Sequence, residues 1–421
     1  MKRAKPAAKP TPATLAPLAP AQRLQALLWP EQGVITEREM FLRTGGPAFF
    51  DDHANEIRFE ATGFAAFDTA CNLFNIGKWV RHCGLNDVRL RLQGRGSFEL
   101  TVIQAMPERS WERLVNRIVT LDNGAEVDLT HFVRHPVGGV LYFTLHSLGE
   151  GCLREAEWVT TQQPKRQPDL ALCITTFKRE EAVRASVSRF ETFMQTSRIA
   201  PHLHLLVVDN GQSAGLSATA RVTPIQNENL GGSGGFARGL IEAEARGASH
   251  CLFMDDDASV LMGAIERVWA FLSHAINPAT AVSGGLTKGD HRWSLWESGA
   301  IFNRWCRPQW LGTDLRDFHQ VLRMEFGSTG PKPANFYGGW WFFAFPVAET
   351  RYRPFPFFVR GDDISFSIAN RFDIVTLPGV LTFQDTDFSD KESLQTLYLD
   401  LRSHLIHHLA LPNMEIGWRG A

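Results

Sequence analysis

Three consecutive carboxylates, Asp255-Asp256-Asp257, directly follow the apolar run Cys251-Leu252-Phe253-Met254. An apolar run that ends in acids reads as a buried strand stopping at the rim of a sheet, and open α/β sheets bind ligands at such carboxyl ends. Like charges held together raise one another's pKa unless a cation is shared between them. A hard divalent ion with oxygen ligands, Mg²⁺ or Mn²⁺, completed by the phosphates of a substrate, meets that need. The plainer alternative is a solvated acidic turn, and the strand that aims the run at a sheet edge argues against it.

A second acid pair, Asp362-Asp363, follows Phe355-Pro356-Phe357-Phe358-Val359, again acids after an apolar run, and opens a stretch that reads as helix. One acid of the pair could simply cap that helix. Beside a metal-bound diphosphate, a carboxylate is instead placed to deprotonate an attacking hydroxyl. Order alone does not separate Asp362 from Asp363. About twenty residues earlier stands Gly338-Gly339-Trp340-Trp341-Phe342-Phe343. Paired tryptophans serve as core, or as a flat apolar platform under a sugar ring. Asn229-Leu230-Gly231-Gly232-Ser233-Gly234-Gly235-Phe236-Ala237 contains a formal GxGxxA match. That dinucleotide fingerprint belongs after the first strand of its fold, and here it comes some sixty residues later. A loop whose backbone N–H groups and helix N-terminus approach a diphosphate is the better physical reading. Helix packing is the alternative, because glycine also permits close contact between elements.

The elements that must position these residues fall into two regimes. From about Ile57 to Leu148 the chain alternates in twos, as in Val88-Arg89-Leu90-Arg91-Leu92-Gln93 and Phe98-Glu99-Leu100-Thr101-Val102, with Gly94-Arg95-Gly96 between them at hairpin spacing. Runs over Val115–Leu121, Glu126–Phe132 and Gly139–Leu148 repeat the pattern, at the spacing of an antiparallel sandwich. Thr160 to Pro168 is a polar, proline-bearing linker. Beyond it, strands over Leu170–Thr176, His204–Asp209 and Cys251–Met254 alternate with helices from Arg179 to about Thr196 and over Gly235–Arg246. That alternation predicts an open, mostly parallel sheet.

With 421 residues the chain has room for two domains, and its formal charge of −2 leaves no electrostatic footprint for nucleic acid. Six scattered cysteines without a CxxC pair read as reduced residues of a cytoplasmic protein. No uninterrupted apolar segment approaches the roughly 20 residues of a membrane span. Met1 to about Pro20 is Ala/Pro-rich with Lys2, Arg3, Lys5 and Lys9 and no apolar segment of a signal peptide. It reads as a disordered tail able to make a weak contact with anionic lipid on the inner face of a membrane.

As a set, Thr175-Thr176-Phe177-Lys178-Arg179, Val207-Val208-Asp209-Asn210, Asn229 through Gly235, Phe253 through Asp257, Gly339-Trp340-Trp341 and Gly361-Asp362-Asp363 resemble the inverting family-two glycosyltransferases of GT-A fold. More narrowly, the chain is similar to galactofuranosyltransferases that build cell-surface galactan from UDP-galactofuranose. Phe67-Asp68-Thr69, Phe74-Asn75, Trp79 and Val88-Arg89-Leu90-Arg91 resemble a segment of their sandwich domain. The resemblance covers about Phe59 to Leu409. Together with the composition of the tail, placed over 1–22, it gives an N-terminal jelly-roll-like β-sandwich over 23–160, a GT-A (Rossmann-like α/β) domain over 169–391 and a helical segment over 392–421. It also implies metal ligation by Asp255 and Asp257, and donor contacts from Thr176, Arg179, Asp209, Asn229, Gly231, Gly232 and Asp256. Glu297, Trp340, Trp341 and Asp362 match acceptor contacts, and Asp363 matches the catalytic base.

One departure stands out. The family's third metal ligand is a histidine, and here the corresponding stretch reads Phe383-Gln384-Asp385-Thr386-Asp387-Phe388-Ser389-Asp390-Lys391. Counting back from Phe388 puts Asp385 in the ligand position, and counting forward from Pro378 puts Gln384 there. Either oxygen donor suits Mn²⁺ or Mg²⁺. The chain continues only about thirty residues past Lys391, so the long helical extension of polymerising members, and any oligomer built with it, is not expected. The implied reaction displaces UDP through an oxocarbenium-like transition state, as in glycosidic cleavage, onto a hydroxyl of a growing, lipid-linked glycan of galactan or O-antigen type. The alternatives are another donor sugar (galactopyranose or rhamnose), a nicotinamide-dependent dehydrogenase using the GxGxxA match, and a non-catalytic carbohydrate-binding protein.

Overall fold

The protein is described as a computed structural model covering residues 21–133, 138–384, 393–411 and 414. The alternating runs form two antiparallel sheets. One orders Ala48–Asp51, Glu56–Phe59, Gly151–Thr160, Arg89–Arg95 and Ala125–Asp128, with Gln22–Ala26 also pairing onto Gly151–Thr160. The other orders Arg43–Gly45, Phe64–Ala66, Val140–Ser147, Ser97–Ala105 and Glu112–Thr120. Leu90, Leu92, Phe98, Leu100 and Val102 are buried in the shared interior, as the period-two pattern requires.

The expected hairpin at Gly94-Arg95-Gly96 does not form. Arg89–Arg95 pairs with Gly151–Thr160 and Ala125–Asp128, while Ser97–Ala105 pairs with Val140–Ser147 and Glu112–Thr120. The chain therefore crosses from one sheet to the other at Gly96, where φ is +96° and a Cβ would stand 2.7 Å from the Glu150 carbonyl oxygen. Only glycine fits such a corner.

The remainder is built on a seven-stranded sheet in the order Val222–Gln226, Leu203–Asp209, Leu170–Thr176, His250–Asp255, Phe343–Pro346, Thr280–Ser283 and Asp373–Val375. Six strands run the same way, and Phe343–Pro346 runs against both neighbours, so the sheet is mixed. Leu170, Leu172, Ile174, Leu205, Val207, Leu252 and Phe253 are buried, because helices Glu180–Thr196, Gly231–Ala245 and Met262–His274 lie over the strands. A small sheet of Ser259–Val260, Leu381–Phe383, Gly285–Thr287 and Leu295–Glu297 and a three-stranded one including Ala300–Phe302 and Phe336–Tyr337 flank it.

The antiparallel sheets and the α/β part share one hydrophobic core. Trp79 meets Phe271 of the Met262–His274 helix edge to face at 5.0 Å. Lys78 and Glu325, both buried, form an ion pair at 2.6 Å. The polar linker is anchored as well, since Arg166 donates to the carbonyls of Leu272 (2.9 Å) and Ala275 (2.8 Å). All six cysteines are free thiols. Among the described residues no helix is long and apolar enough to cross a membrane.

Candidate active site

Strand register fixes the floor of the site. Thr175 lies beside Asp255, and Thr176 beside Asp209, on adjacent parallel strands, so all three strands deliver their last residues to one sheet edge. Thr176 Oγ1 donates to Asp256 Oδ2 at 2.7 Å, and Arg179 Nη1 donates to Asp256 Oδ1 at 3.0 Å while pairing with Asp257 Oδ2 at 2.6 Å. Burial nonetheless holds the Asp256 carboxyl above its ordinary range, against the pull of Thr176 and Arg179. Gln384 Nε2 stands 3.5 Å from Asp257 Oδ1, at the long limit for a hydrogen bond. Asp385 lies outside the described residues.

Two expected donor contacts turn out to have local duties. Asp209 accepts from the backbone N–H groups of Gly211 (3.0 Å) and Ala214 (2.7 Å), which fixes the turn after its strand and uses both carboxylate oxygens. Asn229 Oδ1 accepts from Gly231 N at 3.2 Å. The glycine cluster, expected as a loop ahead of a helix from Gly235, is itself the first turns of the Gly231–Ala245 helix. Gly231 takes φ +71°, and a Cβ there would lie 1.9 Å from the Phe358 carbonyl oxygen. Gly235 packs so closely that a Cβ would fall 2.2 Å from Thr175 Cγ2. Helix packing therefore accounts for Gly231 and Gly235, while Gly232 faces open space.

That space is a cleft of about 780 Å³ whose wall includes Gly232, Asp255, Glu297, Trp340, Trp341, Asp362 and Asp363. The acid pair does not follow a strand as expected. Phe358, Arg360 and Gly361 take φ of +77°, +66° and +85°, an irregular segment with two non-glycine residues in the left-handed region, where strain concentrates. It delivers Asp362 and Asp363 to the first turn of the Asp362–Asn370 helix. Asp362 Oδ2 accepts from Ser233 Oγ at 3.1 Å, tying this helix to the glycine-rich one. Asp363 Oδ1 accepts from the Ile364 N–H at 2.8 Å.

The cleft gathers carboxylates that raise one another's pKa. Burial pushes Asp362 up to about 6. Burial, then the charges of Asp362 and Asp255, push Asp363 up to about 8. Glu297 rises to about 8 through burial and then Asp363. Trp340 and Trp341 are both wall and core. Trp340 contacts Phe236, Phe253 and Phe366 edge to face at 5.0, 5.0 and 5.6 Å, and Trp341 Nε1 donates to the Gly284 carbonyl at 3.0 Å. Glu297 Oε1 and Trp340 Nε1 are buried without a hydrogen-bond partner among the described residues. Both residues line the cleft, so these atoms are the polar groups there with hydrogen-bonding capacity to spare.

Residues that sequence reasoning missed complete the wall. Tyr337, Cys306 and Trp296 line it, as do Arg360 and, from the Leu394–Ala410 helix, Asp400 and His404. Arg360 Nη1 pairs with Asp400 Oδ2 at 2.8 Å. Tyr337, Arg360 and Trp296 stood directly before sequence signals, namely Gly338-Gly339-Trp340-Trp341, Gly361-Asp362-Asp363 and Glu297; Cys306, Asp400 and His404 did not.

The fit for a divalent cation rests on donor chemistry. Asp255 ends the His250–Asp255 strand and Asp257 lies in the turn that follows, with the Gln384 side chain beside Asp257, an all-oxygen set once the amide presents its carbonyl. Among the described residues no group of three His, Cys, Asp or Glu side chains surrounds one point. Mg²⁺ and similar ions are commonly held by one or two carboxylates plus substrate phosphates, so the residues present suit a metal-diphosphate pair. Arg179 sits on Asp257, where it supplies the countercharge.

No family model matches the chain. It is similar to galactofuranosyltransferase GlfT2 of Mycobacterium tuberculosis, 24% identical over 384 residues that cover 83% of this chain and 59% of that protein. GlfT2 of Mycolicibacterium smegmatis is likewise 24% identical, over 375 residues covering 81% and 57%. The chain thus resembles galactofuranosyltransferases along most of its own length, and spans less than two thirds of theirs. Among solved structures, a Pyrobaculum calidifontis mannosyltransferase in complex with GDP-Man and Mn²⁺ gives a TM-score of 0.36 at 16% identity, covering 60% of this chain and 66% of that one. Mannosyl-3-phosphoglycerate synthase from Rubrobacter xylanophilus gives 0.38 at 11%, covering 60% and 78%.

Proposed function

We propose that this protein is an inverting, metal-dependent glycosyltransferase of GT-A type that moves galactofuranose from UDP-galactofuranose to a hydroxyl of a growing cell-surface glycan. The observation that carries the reading is the cleft itself. Gly232, Asp255, Glu297, Trp340, Trp341, Asp362 and Asp363, which come from distant parts of the sequence, face one void. The similarity to the two mycobacterial galactofuranosyltransferases supports the choice of donor.

In this reading the sheet edge takes the nucleotide and the cleft takes the acceptor. Asp255 and Asp257, with Asp385 or Gln384, would hold a Mn²⁺ or Mg²⁺ ion, which would supply countercharge to the diphosphate leaving group. Arg179 turns from Asp257 towards that diphosphate, and the positive end of the Gly231–Ala245 helix, at Gly232, adds a favourable potential. Thr176 holds Asp256 in place beside the donor. Trp340 and Trp341 close the acceptor side, and Glu297 Oε1 and Trp340 Nε1 bond to sugar hydroxyls. Asp363 removes the acceptor proton from the side opposite UDP, which inverts the anomeric carbon. Its raised pKa makes it a stronger base than an ordinary aspartate.

The direct test is transfer from UDP-galactofuranose to a synthetic galactofuranosyl acceptor with Mn²⁺, compared with UDP-galactopyranose and dTDP-rhamnose. Product from the first donor alone supports the reading. Product only from another donor keeps the fold and chemistry and overturns the sugar. No nucleotide-sugar binding in any arm overturns both.

A further inference from the structure

The Asp362–Asn370 helix has the acidic cleft at its first turn, and a second cavity of about 800 Å³ opens at its other end. Arg81 and His82 of the Ile76–Cys83 helix, Lys332 of the segment before Phe336–Tyr337, and Arg371 line it, with Asp373 as the acid facing them. Asp373 is already engaged, by His82 Nδ1 at 3.4 Å and by Asn277 Nδ2 at 3.3 Å. Among the described residues Arg81, Lys332 and Arg371 form no ion pair with a carboxylate. Lys332 Nζ donates to the Ser328 carbonyl at 2.7 Å and lies 5.2 Å from the Phe336 ring centre.

A solvated basic face is the ordinary fate of surface arginines. Here the cations instead face one concave void that spans the antiparallel sheets' helix and the α/β part. Arg81, Lys332 and Arg371 outnumber the one acid of the lining, Asp373, and a dianion with several acceptor oxygens relieves the repulsion left among them while matching guanidinium geometry. We propose that this cavity binds a phosphate-class oxyanion, held by Arg81, Lys332 and Arg371.

Lys332 gives the site a second signature. Burial, followed by the Lys78 charge, pushes its amine down to about 7; Glu325 and Asp373 oppose that shift and Arg81 adds to it. His82 and Arg371 face the same void. A bound anion restores the ammonium form, so binding takes up a proton above about pH 7 and weakens by up to tenfold per pH unit as the pH rises.

The test is calorimetric titration of the full chain with sulfate, whose own charge is constant above neutrality. EDTA is present, and NaCl holds the ionic strength fixed. Wild-type affinity should fall between about pH 7 and 9. Arg371→Gln, at an exposed position, should weaken binding at least tenfold, and Lys332→Met should also remove the pH slope. His82→Gln should keep that slope. Asp255→Ala should leave binding unchanged. Sulfate binding that survives both Arg371→Gln and Lys332→Met, chloride competing as well as sulfate, or loss of binding in Asp255→Ala would each overturn the site. Glucose 1-phosphate binding more tightly than sulfate supports a sugar phosphate as the natural ligand, and equal affinity supports an inorganic anion.

Discussion

At the scale of single residues, the proposed chemistry rests on carboxylates that share one cleft. Asp363→Asn keeps the size of the side chain and removes its ability to take a proton. It should cost about 10²–10⁴-fold in turnover and leave UDP-sugar affinity nearly unchanged. Asp362→Asn, which touches the Ser233 hydroxyl instead, should act on acceptor KM; if it alone silences turnover, the two roles are reversed. The same residues set a pH dependence. The folded-state pKa of Asp363 is raised from 3.8 to about 8, so its stabilising contribution is full below the unfolded value and is lost as pH rises through the folded one. In EDTA, Asp363→Asn should therefore melt at a higher temperature than wild type at about pH 9, with the gap closing by about pH 4; a lower midpoint at the alkaline end contradicts this. At the proposed metal site, Asp255→Ala or Asp257→Ala should abolish Mn²⁺-dependent transfer while the fold survives. A Mn²⁺ titration of Asp385→Ala against Gln384→Ala decides the remaining ligand. Gln384 stands beside Asp257, and a raised metal requirement in Gln384→Ala alone excludes Asp385.

At the scale of elements, the sequence revealed strands better than the turns between them. The sheet edge carrying Thr176, Asp209 and Asp255 was legible because an apolar run, once buried as a strand, must release its polar end residues at the rim of the sheet. The Gly94–Gly96 corner was not, since hairpin spacing is the same whether a chain turns back on its neighbour or crosses to a facing sheet. Nor was the segment before Asp362, because an apolar run looks like a strand even where Phe358 and Arg360 take positive φ. Asp209 matched a motif, yet its partners are backbone groups a few residues ahead, contacts that composition does not reveal. The cleft wall from the Leu394–Ala410 helix carried no spacing signal at all. The glycine-rich helix offers a measurable consequence. Gly231→Ala forces a Cβ onto the Phe358 carbonyl at positive φ and should destabilise the protein by at least about 1–3 kcal/mol in urea unfolding. Gly232→Ala, whose Cβ would come within 3.8 Å of Asp362 Oδ2, should cost little stability and impair turnover.

At the scale of the whole molecule, the antiparallel sheets and the α/β part share a core and a buried ion pair. The division at residues 160–169, reasonable from the polar linker, therefore does not predict two independent folding units. A fragment over 169–391 would leave Glu325 without Lys78, and stranding one member of a buried pair costs about 3–5 kcal/mol. The full chain should melt in one calorimetric transition. Two resolved transitions, or a stable 169–391 fragment, would show the shared core to be weaker than its contacts imply.

The antiparallel strand Phe343–Pro346 has a consequence for synthesis. It fills the place between His250–Asp255 and Thr280–Ser283, so a nascent chain that has emerged only through residue 330 presents the apolar strand Cys251–Met254 as an open edge. Sheet edges of that kind pair with other chains. Ribosome-stalled intermediates between about residues 260 and 340 should be those most dependent on chaperones, and release of the Phe343–Pro346 segment should end that dependence.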